Sequence, residues 1–471
     1  MNTYKKLFNN TLVFAMGSLG SKLISFLLVP LYTYYLTKSE FGMVDLIITT
    51  TSLLVPIFTL SIFEAVLRFA MDENYDKQTI LVNSLFVTLL GFISLLFIYP
   101  ILMNVFPFEN YLNFLYILLF TQSINASLSQ YIRASGYVKL FAINGIFNAF
   151  ILLITSIVFL IVFDMGIIGY VVSPIIANTL SSIFLIVNGK IQQDFNFKKI
   201  NLRLMTEMMR YSIPLIPNSL MWWIMVFSDR YIITYFLGLS ANGLYAVANK
   251  IPSILSIINS IFFQAWQMSA IEEKDSEDKS EFFSNVFNLF SVVLLISSSL
   301  ILLHLKIIID ILVSDIYFDV WKYVPFLLLG VIFSSFSAFL GTNYIATKKT
   351  SGVLKTTILG AIINISINII LIPLIGINGA TIGTMISFFI VWIIRIKDTK
   401  EFVNIRLNTG KLLLTFMILL IQIMLMYMNL SIEYLIQLGL LILIIFINFN
   451  ETKIIFKKIL GFVLNKYSHL F

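Results

Sequence analysis

The chain of 471 residues has no cysteine, only two histidines and a charged fraction of 12%. Without cysteine there are no disulfides and no thiolate metal sites. The histidines, His304 near a helix end and His469 near the C-terminus, read as surface residues, and no H-E-x-x-H pattern accompanies them. No G-x-x-x-x-G-K-[ST] phosphate loop occurs either, so the chain does not hydrolyse ATP itself. A soluble globular chain is about a quarter charged, and this scarcity of charge places the sequence in the membrane class.

What fills the space is hydrocarbon. Hydrophobic residues make up 59% of the chain, in recurring runs of about 20 residues, each long enough to cross a bilayer as a helix. Runs of that length, rather than ten-residue alternation, mark a helical bundle and not a barrel. The first run, from Leu12 to Tyr35 behind Lys5 and Lys6, is too long for a signal-peptide core and reads as an uncleaved span. The expected fold is an all-α polytopic membrane protein of about fourteen spans. They lie at 11–35, 43–69, 80–104, 111–134, 141–163, 167–188, 211–237, 244–270, 282–305, 321–346, 354–375, 377–396, 411–429 and 432–449.

Lys and Arg are distributed unevenly about these spans. Of 31, 25 fall with the termini and the even-numbered connections, while only Lys38, Lys306 and Lys322 fall on the other side. The positive-inside rule then puts both termini in the cytoplasm, in a cytoplasmic membrane. The net charge of +7 is thus a topology signal and an attraction to anionic lipid, not a nucleic-acid surface. The longest connections, about 20 residues, leave no room for a soluble catalytic domain.

Two segments repeat. Tyr35-Leu36-Thr37-Lys38-Ser39-Glu40-Phe41-Gly42 is echoed 201 residues later by Phe236-Leu237-Gly238-Leu239-Ser240-Ala241-Asn242-Gly243. Gly166-Ile167-Ile168-Gly169 is echoed by Gly376-Ile377-Asn378-Gly379 at a shift of 210. Six spans separate equivalent points, so the halves run parallel about a pseudo-two-fold axis along the membrane normal, with a substrate site expected between them. The corresponding division is 1–200 and 201–405 for two six-helix lobes, 406–450 for an added helix pair and 451–471 for a basic tail. The tail from Lys453 to Lys466 reads as an interfacial amphipathic helix.

Ser228-Asp229-Arg230-Tyr231-Ile232-Ile233, then Phe236-Leu237-Gly238, then Gly243-Leu244-Tyr245-Ala246-Val247-Ala248-Asn249-Lys250-Ile251-Pro252, resembles the seventh and eighth helices of polysaccharide repeat-unit flippases of the Wzx type. Gly17-Ser18-Leu19-Gly20-Ser21-Lys22 and Leu-Val-Pro-Leu-Tyr at 28–32 are similar to the first helix of that family. The resemblance covers the whole chain. It implies the multidrug/oligosaccharidyl-lipid/polysaccharide (MOP) superfamily and a V-shaped, MATE-like alternating-access fold, with helices 1, 2, 7 and 8 lining a cavity. It implies export of a polyprenyl-pyrophosphate-linked oligosaccharide from the inner to the outer leaflet. Partners are then that lipid, the surrounding membrane lipids, a polysaccharide polymerase and glycosyltransferases. No cofactor is expected; a coupling ion or the membrane potential supplies the drive.

Charges inside the bilayer are costly and mark function or pairing. Lys22 lies eleven residues into the first span, roughly 17 Å deep, near the midplane. It faces a cavity or pairs with Asp45 or Glu64. Asp229 and Arg230 lie in the outer half of span seven, either binding substrate and a neighbouring cation or forming an ion pair that closes the outer end. Lys250 stands about two turns into span eight. Lys22, Arg230 and Lys250 suit a pyrophosphate, which needs charge-assisted donors once stripped of water. Glu64 and Arg68, spaced i, i+4, suit a helical ion pair, and Asp45 near an outer helix end is either a gating partner or solvated. Trp223, opposite Lys22 in the repeat, is the aromatic residue placed to stack on sugar; Trp222, Trp266 and the other aromatics read as packing. Pro30, Pro56, Pro214, Pro217 and Pro252 mark bending points, and the pairs Asn144/Asn148 and Asn364/Asn368 hold helices together.

Three other readings compete. A lipid II or teichoic-type precursor flippase wants the same cationic cavity. A MATE-type drug pump wants acidic residues deep in its first lobe, where this chain has Lys22 instead. A membrane polymerase or glycosyltransferase wants a large outer loop, and 306–320 offers Asp310, Asp315 and Asp319 but little more.

Overall fold

The computed structural model describes residues 2–195, 197–272, 278–346, 350–401, 403–428 and 430–457. Among them the regular structure is helical throughout. Helix occupies each of the fourteen expected spans, and among the described residues nine helices are long and apolar enough to cross a bilayer, or eleven when two bent pairs each count as one span.

By its internal contacts the chain forms two units, Met1–Val247 and Ala248–Phe471. The first holds α1 (Asn2–Tyr35), α2 (Lys38–Phe58), α3 (Ile62–Ala70), α4 (Lys77–Phe97), α5 (Tyr99–Val105), α6 (Leu112–Ala134), α7 (Val138–Ile157), α8 (Gly166–Asn188), α9 (Leu202–Ser212) and α10 (Ile216–Leu237), and it ends within α11 (Leu239–Ala248). The division therefore falls 47 residues beyond the expected boundary at 200. The reason is local: α9 packs on α3 and α4, and α10 packs on α2, so both belong to the first unit.

Span two is two helices rather than one. Leu60 and Ser61 both take positive φ (52° and 50°) and break the helix between α2 and α3. Gly91 of α4 lies against this break, where a β-carbon would fall 1.8 Å from the Phe58 carbonyl oxygen. α2 starts with a capping box: the Thr37 hydroxyl accepts from the Glu40 amide, and the Glu40 carboxylate accepts from the Thr37 amide. Span seven begins as α9, turns through a 3-10 segment at Ile213–Leu215 that contains Pro214, and resumes as α10 with Pro217 in its first turn. Pro30 and Pro56, by contrast, sit inside continuous helices.

The polar seams run as expected. Asn144 Oδ1 accepts from the Ser181 hydroxyl at 2.7 Å, and Asn148 Nδ2 donates to Asn178 Oδ1, tying α7 to α8. At the end of the unit that carries the 72–76 and 189–201 connections, Ile62, Val66, Ile80, Leu81, Leu128 and Met208 form a dry cluster. Around it Lys199 donates to Asp76, Gln78 and Tyr131 donate to Asp194, and Asn83 and Asn201 bond reciprocally. Burial raises the Asp76 carboxyl, but hydrogen bonds from Thr79 and Lys199 outweigh it and hold the group below the ordinary carboxylate range.

The second unit holds α12 (Ser253–Glu272), α13 (Lys279–Leu312), α14 (Val324–Ala346), α15 (Thr350–Ile375), α16 (Ile377–Thr399), α17 (Thr409–Tyr427), α18 (Glu433–Ile447) and α19 (Phe449–Lys457). Asn364 and Asn368 repeat the seam between α15 and α16, where Asn364 reaches Thr384 and Ser387. Trp266 is a packing residue: its ring stacks on Phe339 at 4.3 Å and its Nε1 donates to the Thr342 hydroxyl. α17 and α18 dock on α13 through Ser299, Gln422 and Gln437, with Lys306–Glu433 and Lys411–Glu451 ion pairs at the two ends. α19 turns 81° from α18; the tail beyond Lys457, with Lys466 and His469, lies outside the described residues.

Candidate functional site

Asp45 stands seven residues into α2, and Arg230 seven residues before the end of α10. At 1.5 Å per residue each is roughly 10 Å from the helix end that faces the other. The two meet at that depth: Arg230 Nε donates to Asp45 Oδ2 at 2.7 Å. Their side chains are 7% and 13% exposed, so the pair is removed from solvent rather than resting on the surface. Asp45, read from sequence as either a gating partner or solvated, is the counter-ion of Arg230.

Aromatic rings complete the cradle of the guanidinium. It lies over Phe227 at 4.9 Å and Tyr245 at 5.5 Å, and its Nη1 donates to the Val226 carbonyl. Adjacent residues on a helix point about 100° apart, so Asp229 faces elsewhere. It is fully buried and accepts a hydrogen bond from the Tyr245 hydroxyl of α11. The sequence offered two roles for this dipeptide, and the structure pairs Arg230 with Asp45 of α2 and hydrogen-bonds Asp229 to Tyr245 of α11.

Trp223 is buried, and its indole N–H donates to both the Thr49 carbonyl and the Ser52 hydroxyl of α2 at 3.0 Å. Its ring lies against Phe227 and Tyr231. In this conformation it binds α10 to α2 and presents no face to a sugar; the exposed indole is that of its neighbour Trp222. Beside Arg230 in the chain, Tyr231 hydrogen-bonds Thr50. α11 closes the arrangement where Asn242 Nδ2 donates to the Gly42 carbonyl at 2.8 Å.

The remaining expected residues lie on other segments. Lys22 is half-buried in α1, near the crossing of α1 and α7 at Gly20 and Ile146. Lys250 belongs to the second unit, in the break at residues 249–252 that ends in Pro252. Glu64 and Arg68 are exposed on α3, and among the described residues no ion pair joins them. A carboxylate and a guanidinium on an exposed face gain little by pairing.

Sequence reasoning missed Tyr245, Tyr231, Asn242 and Ser52 as contributors, since ordinary tyrosine, asparagine and serine in a membrane helix carry no distinguishing signal. Arg395, near the end of α16, was not singled out either. The structure buries it among α14, α15 and α16, where it donates to Ser337 O, Thr356 Oγ1 and Thr357 Oγ1. Among the described residues no group of three or more acidic or histidine side chains could hold a metal ion.

The model of the polysaccharide biosynthesis protein family matches residues 7–267, a stretch that contains every residue of this site. Among solved structures, the lipid II flippase MurJ in an inward closed conformation aligns with 96% of this chain and 100% of its own, at 12% identity and a TM-score of 0.70. An inward-facing multidrug resistance MATE transporter of the MOP superfamily aligns over 84% of this chain and 93% of its own, at 13% identity and a TM-score of 0.62. A point mutant of the Vibrio cholerae MATE transporter VcmN gives 14% identity and a TM-score of 0.59, over 84% of this chain and 96% of its own. A segment of 180 residues is 28% identical to an uncharacterized membrane protein of Methanocaldococcus jannaschii. That match covers 37% of this chain and spans about a third (35%) of the relative.

Proposed function

Because the chain belongs to the polysaccharide biosynthesis protein family and has the fold of MOP-superfamily exporters, we propose that it flips a polyprenyl-pyrophosphate-linked oligosaccharide across a bacterial cytoplasmic membrane. It is a membrane transporter and not an enzyme. The load moves from the inner to the outer leaflet, with both termini cytoplasmic. Glycosyltransferases build the load before it crosses, and a polymerase uses it afterwards.

The observation that carries this reading is the Arg230–Asp45 pair, a guanidinium and a carboxylate desolvated together between α10 and α2. A buried pair of this kind is stable only while both partners remain. A pyrophosphate arriving at Arg230 replaces one anion by another of higher charge and frees α2 from α10. Substrate binding and helix separation are thereby the same event. Arg suits this exchange because its planar fork binds carboxylate and phosphate with equal geometric ease. Lys22, near the midplane of α1, supplies a second cation along the same unit.

Export of an anion needs no ATP. An inside-negative potential favours outward movement by about 2.3 kcal/mol per charge per 100 mV. A pump for cationic drugs is the poorer reading, because Asp45 is matched by Arg230 and the midplane charge is positive.

The test is the distribution of lipid-linked intermediates between leaflets in depleted cells, resolved by mass. Accumulation of a completed unit facing the cytoplasm, with loss of surface polymer, is the expected result, and the mass separates a repeat unit from lipid II. Completed units on the outer leaflet, unpolymerised, would overturn the reading.

A further inference from the structure

The second unit contains a cavity of about 230 Å³ between the end of α13 and the turn from α17 to α18. One wall is hydrocarbon, from Leu302, Leu303 and Ile307 of α13. The opposite wall is polar, from Glu433, Tyr434 and Gln437 of α18. The volume is several times the roughly 30 Å³ share of one water, so this is more than a hydration site. It is also smaller than the roughly 300–1,000 Å³ of sites for larger ligands, so it holds one ring and not an oligosaccharide.

Charge narrows the occupant. The Lys306 ammonium at this cavity is bound by Glu433 at 2.8 Å, by the Met426 carbonyl, and by the face of Trp321 at 4.5 Å. Its charge is matched, so nothing here favours a phosphate or a carboxylate. Hydrogen-bonding capacity remains. The side-chain oxygen of Gln437 is buried and has no donor among the described residues. Tyr434 is half-exposed, with its hydroxyl 3.2 Å from His304 Nε2. An acceptor without a donor is costly in a protein interior and is satisfied by a hydroxyl that enters beside it.

A neutral ligand with one apolar face and a rim of hydroxyls is a pyranose ring. We propose that this cavity binds a single sugar ring, at a site other than the Asp45–Arg230 pair. On the topology read from Lys and Arg it opens at the outer surface. There the ring comes either from the exported glycan or from a glycolipid of that leaflet.

The experiment uses the full-length protein in nanodiscs and saturation-transfer NMR with methyl glucoside, methyl galactoside and methyl N-acetylglucosaminide. Transfer to at least one of them is expected, weakened about threefold to tenfold by Tyr434→Phe and by Gln437→Leu, as the loss of one hydrogen bond implies. Tyr434→Phe removes only a surface hydroxyl, so it remains informative if Gln437→Leu loosens the helices. No transfer to any pyranoside, or transfer unchanged in both variants, overturns the proposal. Nanodiscs doped with glucosyl diacylglycerol then separate the sources: competition identifies a membrane glycolipid, and undiminished transfer identifies the glycan. Binding is read without transport, so a negative result leaves the flippase reading intact.

Discussion

Gly42 and Gly243 approach each other where α2 crosses α11, and each occupies in its own repeat the place of the other. A β-carbon on Gly42 would lie 2.0 Å from the Leu239 carbonyl oxygen, and one on Gly243 would lie 1.9 Å from that of Lys38. Lys38 and Leu239 are themselves 201 residues apart. The contact is reciprocal, as a local two-fold relation requires. The charges beside it are not: the repeat partners of Asp45 and Arg230 are Ala246 and Val29, both buried and apolar.

Substituting alanine at Gly42 or Gly243 therefore forces backbone against backbone. Either variant is expected to lose about 1–3 kcal/mol of stability, as overpacking does. Transport should fall further than stability if the crossing must close in each cycle. Thermal unfolding in detergent, beside the leaflet assay, separates the two effects.

Removing one member of the Arg230–Asp45 pair leaves an isolated buried charge. Asp45→Asn and Arg230→Gln should each cost about 3–5 kcal/mol, and the double variant less than either. Transport should not recover in the double variant, because the cation that meets the pyrophosphate is gone. Recovery of both together would reduce the pair to a structural tie.

Lys22→Gln tests the second cation. Half-buried in α1, it is expected to leave the melting temperature unchanged while lowering transport about tenfold, the loss of one charge-assisted bond. The leaflet assay at matched protein levels measures this, and an equal effect on stability would assign Lys22 a packing role.

Trp223→Phe keeps the ring and deletes the N–H that reaches Thr49 and Ser52. A loss of about 1 kcal/mol is expected, with near-normal transport. A large loss of transport without loss of stability would restore a direct role for the indole.

Asp76 gives a dependence on pH. Its carboxyl is held below the ordinary carboxylate range in the folded chain, so its tie to Lys199 is complete above the unfolded value, near pH 4, and is lost as pH falls through the lowered one. Protection of the 190–200 segment from pepsin should fall as pH drops below that range, and Asp76→Asn should lack the protection at every pH at which pepsin cuts.

Much of the fold was legible because hydrocarbon length and charge placement are imposed by the bilayer. All fourteen helical positions followed from runs of apolar residues, and Pro214 and Pro252 marked two of the breaks. The break at Leu60 and Ser61 was not legible, since neither residue signals a left-handed backbone. At the site, Asp45, Trp223, Asp229 and Arg230 were visible as costly or bulky groups in apolar surroundings. Their pairing was not, because it depends on α2 and α10 bringing residues 185 apart to one depth. The burial of Arg395 was not legible for a related reason: a basic residue one turn from a helix end reads the same whether or not neighbouring helices enclose it.

The amides of Gln422 and Gln437 bond each other's backbone between α17 and α18, while Ser299 of α13 holds the Gln422 oxygen. Neither helix satisfies its glutamine alone, and a lone amide in lipid finds no partner. Entry of α17 and α18 into lipid as a pair, settling against α13, spares each glutamine amide that exposure. A chain stopped after α17 would carry the Gln422 amide into the bilayer without its partner on α18. The hairpin and α13 are thus held by the same polar contacts and gain or lose them together.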